Sequence, residues 1–211
     1  MLHIQVFPFN PFSENTYIIF NENKNGLILD PGNWNAEETK ILENFINENG
    51  ITIKNILLTH AHIDHVLGLQ WAFDTYKVHV MMHEKEQEIL NRNPVSARQF
   101  GFQFEAFVGD ISYLKEGENY CIDEDCFQIF HVPGHSPGSL AFYSESQNFV
   151  ISGDALFQGS IGRTDLYGGN HNQLLESIQT KLFTLPTETK VFCGHGNPTE
   201  IGFERNHNPF F

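Results

Sequence analysis

The seven residues Thr59-His60-Ala61-His62-Ile63-Asp64-His65 place three imidazoles and a carboxylate in one short segment. The apolar run 53–58 (IKNILL) leads into it, and a stretch with helical apolar spacing, Asp64 to Tyr76, leads out. A strand end is rigid and a helix start exposes unsatisfied N–H groups, so this junction can aim several side chains at one point. Neutral imidazole and ionised carboxylate are the donors that borderline divalent ions such as zinc take near neutral pH. Four donors from one turn exceed what a single tetrahedral ion with an open position would draw from so short a segment. Two metal ions are therefore expected.

Working outward, the same kind of group recurs where other apolar runs end in small residues. His135 lies in PGHSPGS after Val132, Asp154 in SGD after FVI, and His195 in GHG after VFC. Glycine beside each permits the close backbone approach that a crowded ion-binding loop requires. With His60, His62, Asp64 and His65 they make seven candidate ligands.

The coarse pattern around these motifs is mixed. Short β-rich runs are expected at 2–7, 16–20 and 27–29, the last stopped by the turn Asp30-Pro31-Gly32. Asn35 with Glu38 reads as a variant capping box for a helix carrying Ile41, Leu42, Phe45 and Ile46 on its apolar face, ended by Gly50. A strand follows at 78–82 and a helical stretch near 84–91, while 92–118 gives no clear period. Strands return at 126–132, 139–143 and 149–152. A helix opened by Asn170 with Gln173, carrying Leu174, Leu175, Ile178 and Leu182, precedes a strand at 191–193. Strands with interspersed helices indicate an α/β layered sandwich. With no repeat or linker-like tract in 211 residues, a single domain spanning 1–211 is expected.

Composition narrows the function. Twelve basic against 26 acidic residues, a formal charge of −14, speak against a nucleic-acid partner, which needs a basic footprint. No apolar run exceeds four residues, so no membrane partner is expected. The N-terminal MLHIQVFPFNPF lacks a basic leader and a long apolar core, and a cytoplasmic location is expected. Cys121, Cys126 and Cys193 are odd in number without CxxC spacing and are expected as reduced thiols.

THAHIDH, HVPGHSPGS, SGDALF and FCGHG, in that order over residues 59–195, resemble the metallo-β-lactamase superfamily. The resemblance implies a four-layered αββα sandwich with a dinuclear site at one edge of its two sheets. It implies that His60, His62 and His135 bind one metal, Asp64, His65 and His195 the other, and that Asp154 bridges them. Asp64 and Asp154 are the residues expected to serve catalysis as well as binding. GSIGRTDLYGGN at 159–170 and the C-terminal GHGNPTEIGFERNHNPFF resemble the short glyoxalase II-like hydrolases, the hydroxyacylglutathione hydrolase group without the appended helical domain. In full-length glyoxalase II that domain makes much of the glutathione contact, which leaves the thiol half of the substrate open.

Two divalent ions, zinc foremost with iron or manganese as alternatives, lower the pKa of a shared water toward about 7, so no side-chain nucleophile is needed. The chain lacks GxSxG, and Cys193 reads as a small buried residue. A thioester leaves as a thiolate of pKa near 8.5 with little acid help, so a small acyl-thiol such as S-lactoylglutathione is the expected substrate. The alternative is a persulfide dioxygenase holding one Fe(II) through His60, His135 and Asp154. A β-lactamase, a nuclease and a metal-free binding module rank below both. Arg163 either pairs with a substrate carboxylate or forms a buried ion pair bracing the metal loop, and bracing is preferred. Tyr167 either lines the pocket or packs the loop, with loop packing preferred, and His131 is a candidate for support behind the ligands. Oligomeric state does not follow from the sequence.

Overall fold

The computed structural model describes residues 1–104 and 106–211, which form two compact units, Met1–Tyr113 and Leu114–Phe211. The expected α/β class holds in both, since each is a six-stranded sheet with helices packed on it.

In the first unit the strands run in spatial order β1 (His3–Phe9), β2 (Glu14–Phe20), β3 (Asn25–Leu29), β4 (Thr52–Leu57), β5 (His79–Met82) and β6 (Ile111–Tyr113). The first three pair antiparallel and the remainder parallel. Helices α1 (Ala36–Glu48), α2 (Ile63–Val66), α3 (Leu69–Tyr76) and α4 (Gln87–Phe100) connect them. Leu42 and Ile46 of α1, Leu69 and Ala72 of α3, and Ile89 and Leu90 of α4 are buried with Ile18, Ile28, Ile56 and Val80 of the sheet in one core. Asn35 caps α1 by accepting from the Glu37 and Glu38 amides at 3.0 and 2.9 Å. The reciprocal Glu38 bond goes to Trp34 N rather than to Asn35, so the box is shifted by one residue. Ile41, placed on the apolar face by its spacing, is 45% exposed.

The helix expected from Asp64 to Tyr76 breaks between α2 and α3. At Gly68 a Cβ would lie 2.0 Å from Asn33 Oδ1, and Gly68 N donates to Pro31 O at 2.8 Å, so the chain is drawn against the 31–33 turn and leaves the helical path. The stretch near 84–91 is a 3₁₀ turn, Glu84–Glu86, running into α4, which continues to Phe100 through Pro94. A proline ordinarily argues for a helix end there, and it hid the full length of α4.

In the second unit the order is β14 (Thr199–Glu200), β13 (Lys190–Cys193), β10 (Phe149–Gly153), β9 (Leu140–Ser144), β8 (Asp125–His131) and β7 (Asn119–Ile122), with a small hairpin of β11 (Leu156–Phe157) and β12 (Ser160–Ile161). Helices α5 (His171–Thr180) and α6 (Ile201–His207) bury Leu174, Ile178 and Ile201 against Val132, Ala141, Val150 and Val191. Asn170 caps α5 through Gln173 N at 3.1 Å, and Leu182 stays buried in a 3₁₀ turn after the helix has ended.

The expectation of three free thiols is corrected. The β7–β8 register sets Cys121 opposite Cys126 and the two are bonded, leaving buried Cys193 as the free cysteine among the described residues. A spacing of five carries no motif, but a tight hairpin turns it into a facing pair. Among the described residues no helix is long and apolar enough to cross a membrane.

Candidate metal centre

In the first unit the donors leave the end of β4. Thr59, one residue beyond the buried Leu58, gives its N–H to Asp30 Oδ1 at 2.7 Å and its hydroxyl to Asp30 Oδ2 at 2.5 Å. Asp30 follows β3 at φ 53°, a left-handed conformation that a carboxylate accepts more readily than most side chains. Burial pushes its carboxyl up, while His65 and Thr59 draw it back down. The same Asp30 Oδ2 lies 3.0 Å from His65 Nδ1. With the Nδ1 proton held by that carboxylate, the Nε2 lone pair of His65 is left for a metal. His60 is set by Thr59 Oγ1, 3.1 Å from its Nδ1. The His60 ring lies 4.8 Å from that of His62 and 4.1 Å from that of His65, and Asp64 Oδ2 is 3.8 Å from His65 Nε2. His60 and His65 are fully buried, and His62 and Asp64 are half-buried.

The peptide between His60 and His62 is clamped from α4 and the turn before it. Buried Glu86 accepts Ala61 N at 2.7 Å, and buried Asn93 donates to Ala61 O at 2.8 Å. Behind His65, Glu14 lies 3.7 Å from Nδ1, accepts the Thr16 hydroxyl at 2.9 Å and fills the space that a Cβ on Gly32 would occupy. Burial raises the Glu14 carboxyl well above its usual range.

In the second unit a register shift near the end of β10, followed by Gly153 at φ 51°, turns Asp154 out of the strand. Asp154 Oδ2 lies 3.4 Å from His135 Nε2 and 3.5 Å from His195 Nε2, so one carboxylate oxygen faces two imidazole nitrogens. His135 Nδ1 is held at 2.7 Å by the backbone carbonyl of Arg163, which again fixes the tautomer that presents Nε2. The turn bearing His135 is tied by Ser177 Oγ to Pro133 O at 2.8 Å, Asn170 N to Gly134 O at 2.7 Å, and His131 Nε2 with Pro137 O at 2.9 Å. His131 thus supports the loop, as anticipated. Gly162 passes so close that a Cβ would come within 1.9 Å of Asp154 O and 3.0 Å of His135 Nδ1.

One expectation needs correction. Arg163 forms no buried ion pair. Its guanidinium is exposed and bidentate to exposed Asp165, with both contacts at 2.7 Å, and its contribution to the metal loop is the backbone carbonyl. The pair holds the Asp165 carboxyl down to about 2. Tyr167 is 50% exposed. Asp30, Glu14, Glu86 and Asn93 were missed. Asp30 was hidden in a turn triplet, although an acid ending the apolar run LIL was a usable signal, and the other three carry no local signature.

The donor chemistry fits metal ions: imidazoles crowded ring to ring, Nδ1 atoms of His65 and His135 held so that Nε2 faces the site, and carboxylates alongside. An α/β fold with such donors at its strand ends is that of a metal-binding enzyme. Residues 9–195 match the model of the Metallo-beta-lactamase superfamily, and the chain belongs to that superfamily and has its fold. That fold implies a His-rich site for two metal ions. The chain is 36% identical to "Hydroxyacylglutathione hydrolase GloC" of Haemophilus influenzae, over 99% of this chain and 98% of that one. Among solved structures it is similar to the BLEG-1 B3 metallo-beta-lactamase, with a TM-score of 0.90, 38% identity and 99% of both chains covered. It is also similar to TTHA1623, crystallised in a di-iron-bound form, with a TM-score of 0.87, 33% identity, and 98% of this chain and 100% of that one covered.

Proposed function

We propose that this protein hydrolyses small hydroxyacyl thioesters such as S-lactoylglutathione, with residues 1–211 acting as one cytoplasmic catalytic domain. The observation that carries the reading is Asp154 Oδ2 facing the Nε2 atoms of both His135 and His195, the arrangement a bridging carboxylate requires. On this reading His60, His62 and His135 would hold one ion and Asp64, His65 and His195 the other, with Asp154 shared between them. Zinc is the first expectation, and the di-iron form of TTHA1623 keeps iron in view. Two bound divalent ions supply a water ionised near neutral pH and an electrophile for the carbonyl.

The chain's own groups prepare that chemistry. Asp30 and the Arg163 carbonyl keep protons on the Nδ1 atoms of His65 and His135, so neither ring has to reorganise when ions arrive. Asp64 and Asp154 add negative charge that offsets the cations. Cys193 is a poor nucleophile, since burial pushes its thiol up to about 12. A thiolate of pKa near 8.5 departs without a strong acid. The likeness to the GloC hydrolase supports the thioester, and the likeness to BLEG-1 favours a second reading, hydrolysis of a β-lactam amide at the same site.

The test is metal quantitation followed by assay of purified protein on S-lactoylglutathione, other acyl thiols, a cephalosporin, and a persulfide with oxygen-uptake detection. Two ions per chain with thioester turnover is the expected result, and Asp154→Ala should lose several orders of magnitude while remaining folded. One iron with persulfide-dependent oxygen uptake, or lactam opening without thioester cleavage, would replace the proposal.

A further inference from the structure

Beside the first unit's donors stands an aromatic surface that metal binding does not use. Phe12, Trp34 and Phe100 are 37%, 46% and 50% exposed, and all three edge onto one another or onto buried Phe102. Ring centroids are 5.2 Å apart for Phe12 and Phe100, 5.7 Å for Phe12 and Phe102, and 5.1 Å for Trp34 and Phe102. Large side chains exposed together mark binding surfaces more often than singly exposed ones do.

These rings are held in place. The Glu38 carboxylate accepts Asn10 N at 3.0 Å and Trp34 N at 2.7 Å, so one side chain anchors both segments that carry the outer rings. Asn10, at φ 53°, accepts Phe12 N at 3.0 Å and donates to Asp64 O at 2.9 Å. Ile63, between His62 and Asp64, packs in the same cluster as Phe102. The aromatic surface is therefore tied through backbone and core to the loop that carries the donors. Rings fixed in advance lose little entropy when a ligand covers them.

We infer that Phe12, Trp34 and Phe100, backed by Phe102, form the subsite for the acyl group of the substrate and select bulky apolar or aryl acyl chains over lactoyl. The inference rests on the thioester reading for its substrate class. With the Glu38 carboxylate bonded to the backbone amides of Asn10 and Trp34 beside this surface, and a chain charge of −14, the surface suits the uncharged acyl portion and not the carboxylates of glutathione.

The experiment compares kcat/KM for S-mandeloylglutathione and S-lactoylglutathione in the wild type, Phe12→Ala and Trp34→Ala. The wild type should favour the mandeloyl ester by about tenfold or more, and either substitution should bring the ratio toward one. An unchanged ratio overturns the subsite. A second arm needs no turnover: in Trp71→Phe, which leaves Trp34 as the remaining indole, D-mandelate should shift the fluorescence and D-lactate should not. A fluorescence response without thioester hydrolysis sinks the thioester reading and keeps the subsite. Hydrolysis with an unchanged ratio and no response does the reverse. If Phe12→Ala/Trp34→Ala converts a dimer to a monomer with acyl preference intact, the rings serve self-association and the inference falls.

Discussion

Gly162→Ala isolates the geometry that the metal assignment depends on. A Cβ there would sit 1.9 Å from the Asp154 carbonyl oxygen and 3.0 Å from His135 Nδ1. The first distance is more than an ångström short of any approach a methyl tolerates, and the obstacle is backbone, so the 162–163 segment or Asp154 itself must move. The Arg163 carbonyl that fixes His135 follows directly in the chain, so both proposed ligands are disturbed together. Overpacking of this kind costs about 1–3 kcal/mol, and for a chain of this size each kcal/mol lowers Tm by roughly 2–4 °C. A displacement near 1 Å at the reacting centre costs about a hundredfold in rate. The assay is metal per chain by elemental analysis, Tm by thermal melt, and thioester turnover. Gly101→Ala is the control: φ is +78° with nothing within 4 Å, so it should lose about 1–2 kcal/mol to backbone strain while keeping its metal. A Gly162→Ala protein with two ions and wild-type turnover would refute the placement of Asp154 and His135 at the centre.

Glu86→Ala should strand the Ala61 N–H and loosen the peptide between His60 and His62, costing about 1–3 kcal/mol and weakening metal retention against a chelator; Glu86→Gln, which keeps an acceptor, should recover most of both. Arg163→Ala should leave metal content unchanged, because His135 is held by the residue's carbonyl, and should cost under about 1 kcal/mol since its ion pair is exposed. Cys193 should resist iodoacetamide at pH 8 in the native protein and react once unfolded. A thiol raised by folding adds stability below its unfolded pKa of about 8.5 and loses it as pH climbs toward about 12, so Cys193→Ala should flatten the alkaline decline in urea-unfolding free energy.

The candidate donors were legible because the chemistry admits few side chains: His and Asp at strand ends beside glycine are uncommon unless an ion is to be held. The α/β class followed from runs such as TYIIF and LIL alternating with a capped helix. The break at Gly68 was invisible because its cause is Asn33, distant in sequence and pressed against the spot where a Cβ would stand. The continuation of α4 through Pro94 was masked by a residue that usually ends helices. The Cys121–Cys126 bond depended on hairpin register, which spacing alone did not announce.

The supports behind the ligands were harder to see than the ligands, and for a physical reason. Fixing an imidazole tautomer requires only an acceptor at Nδ1, and many groups qualify: the Asp30 carboxylate does it for His65, and a main-chain carbonyl for His135. A carbonyl belongs to every residue, so Arg163 stood out for a guanidinium that faces solvent while its backbone does the positioning. Tolerance to substitution should divide along this line. Side-chain supports such as Asp30 and Glu86 will be sensitive to identity, whereas Arg163 will be sensitive to what moves its peptide, with Gly162 foremost. A substitution scan in which Arg163 side-chain changes released more metal than the Gly162 change would contradict that division.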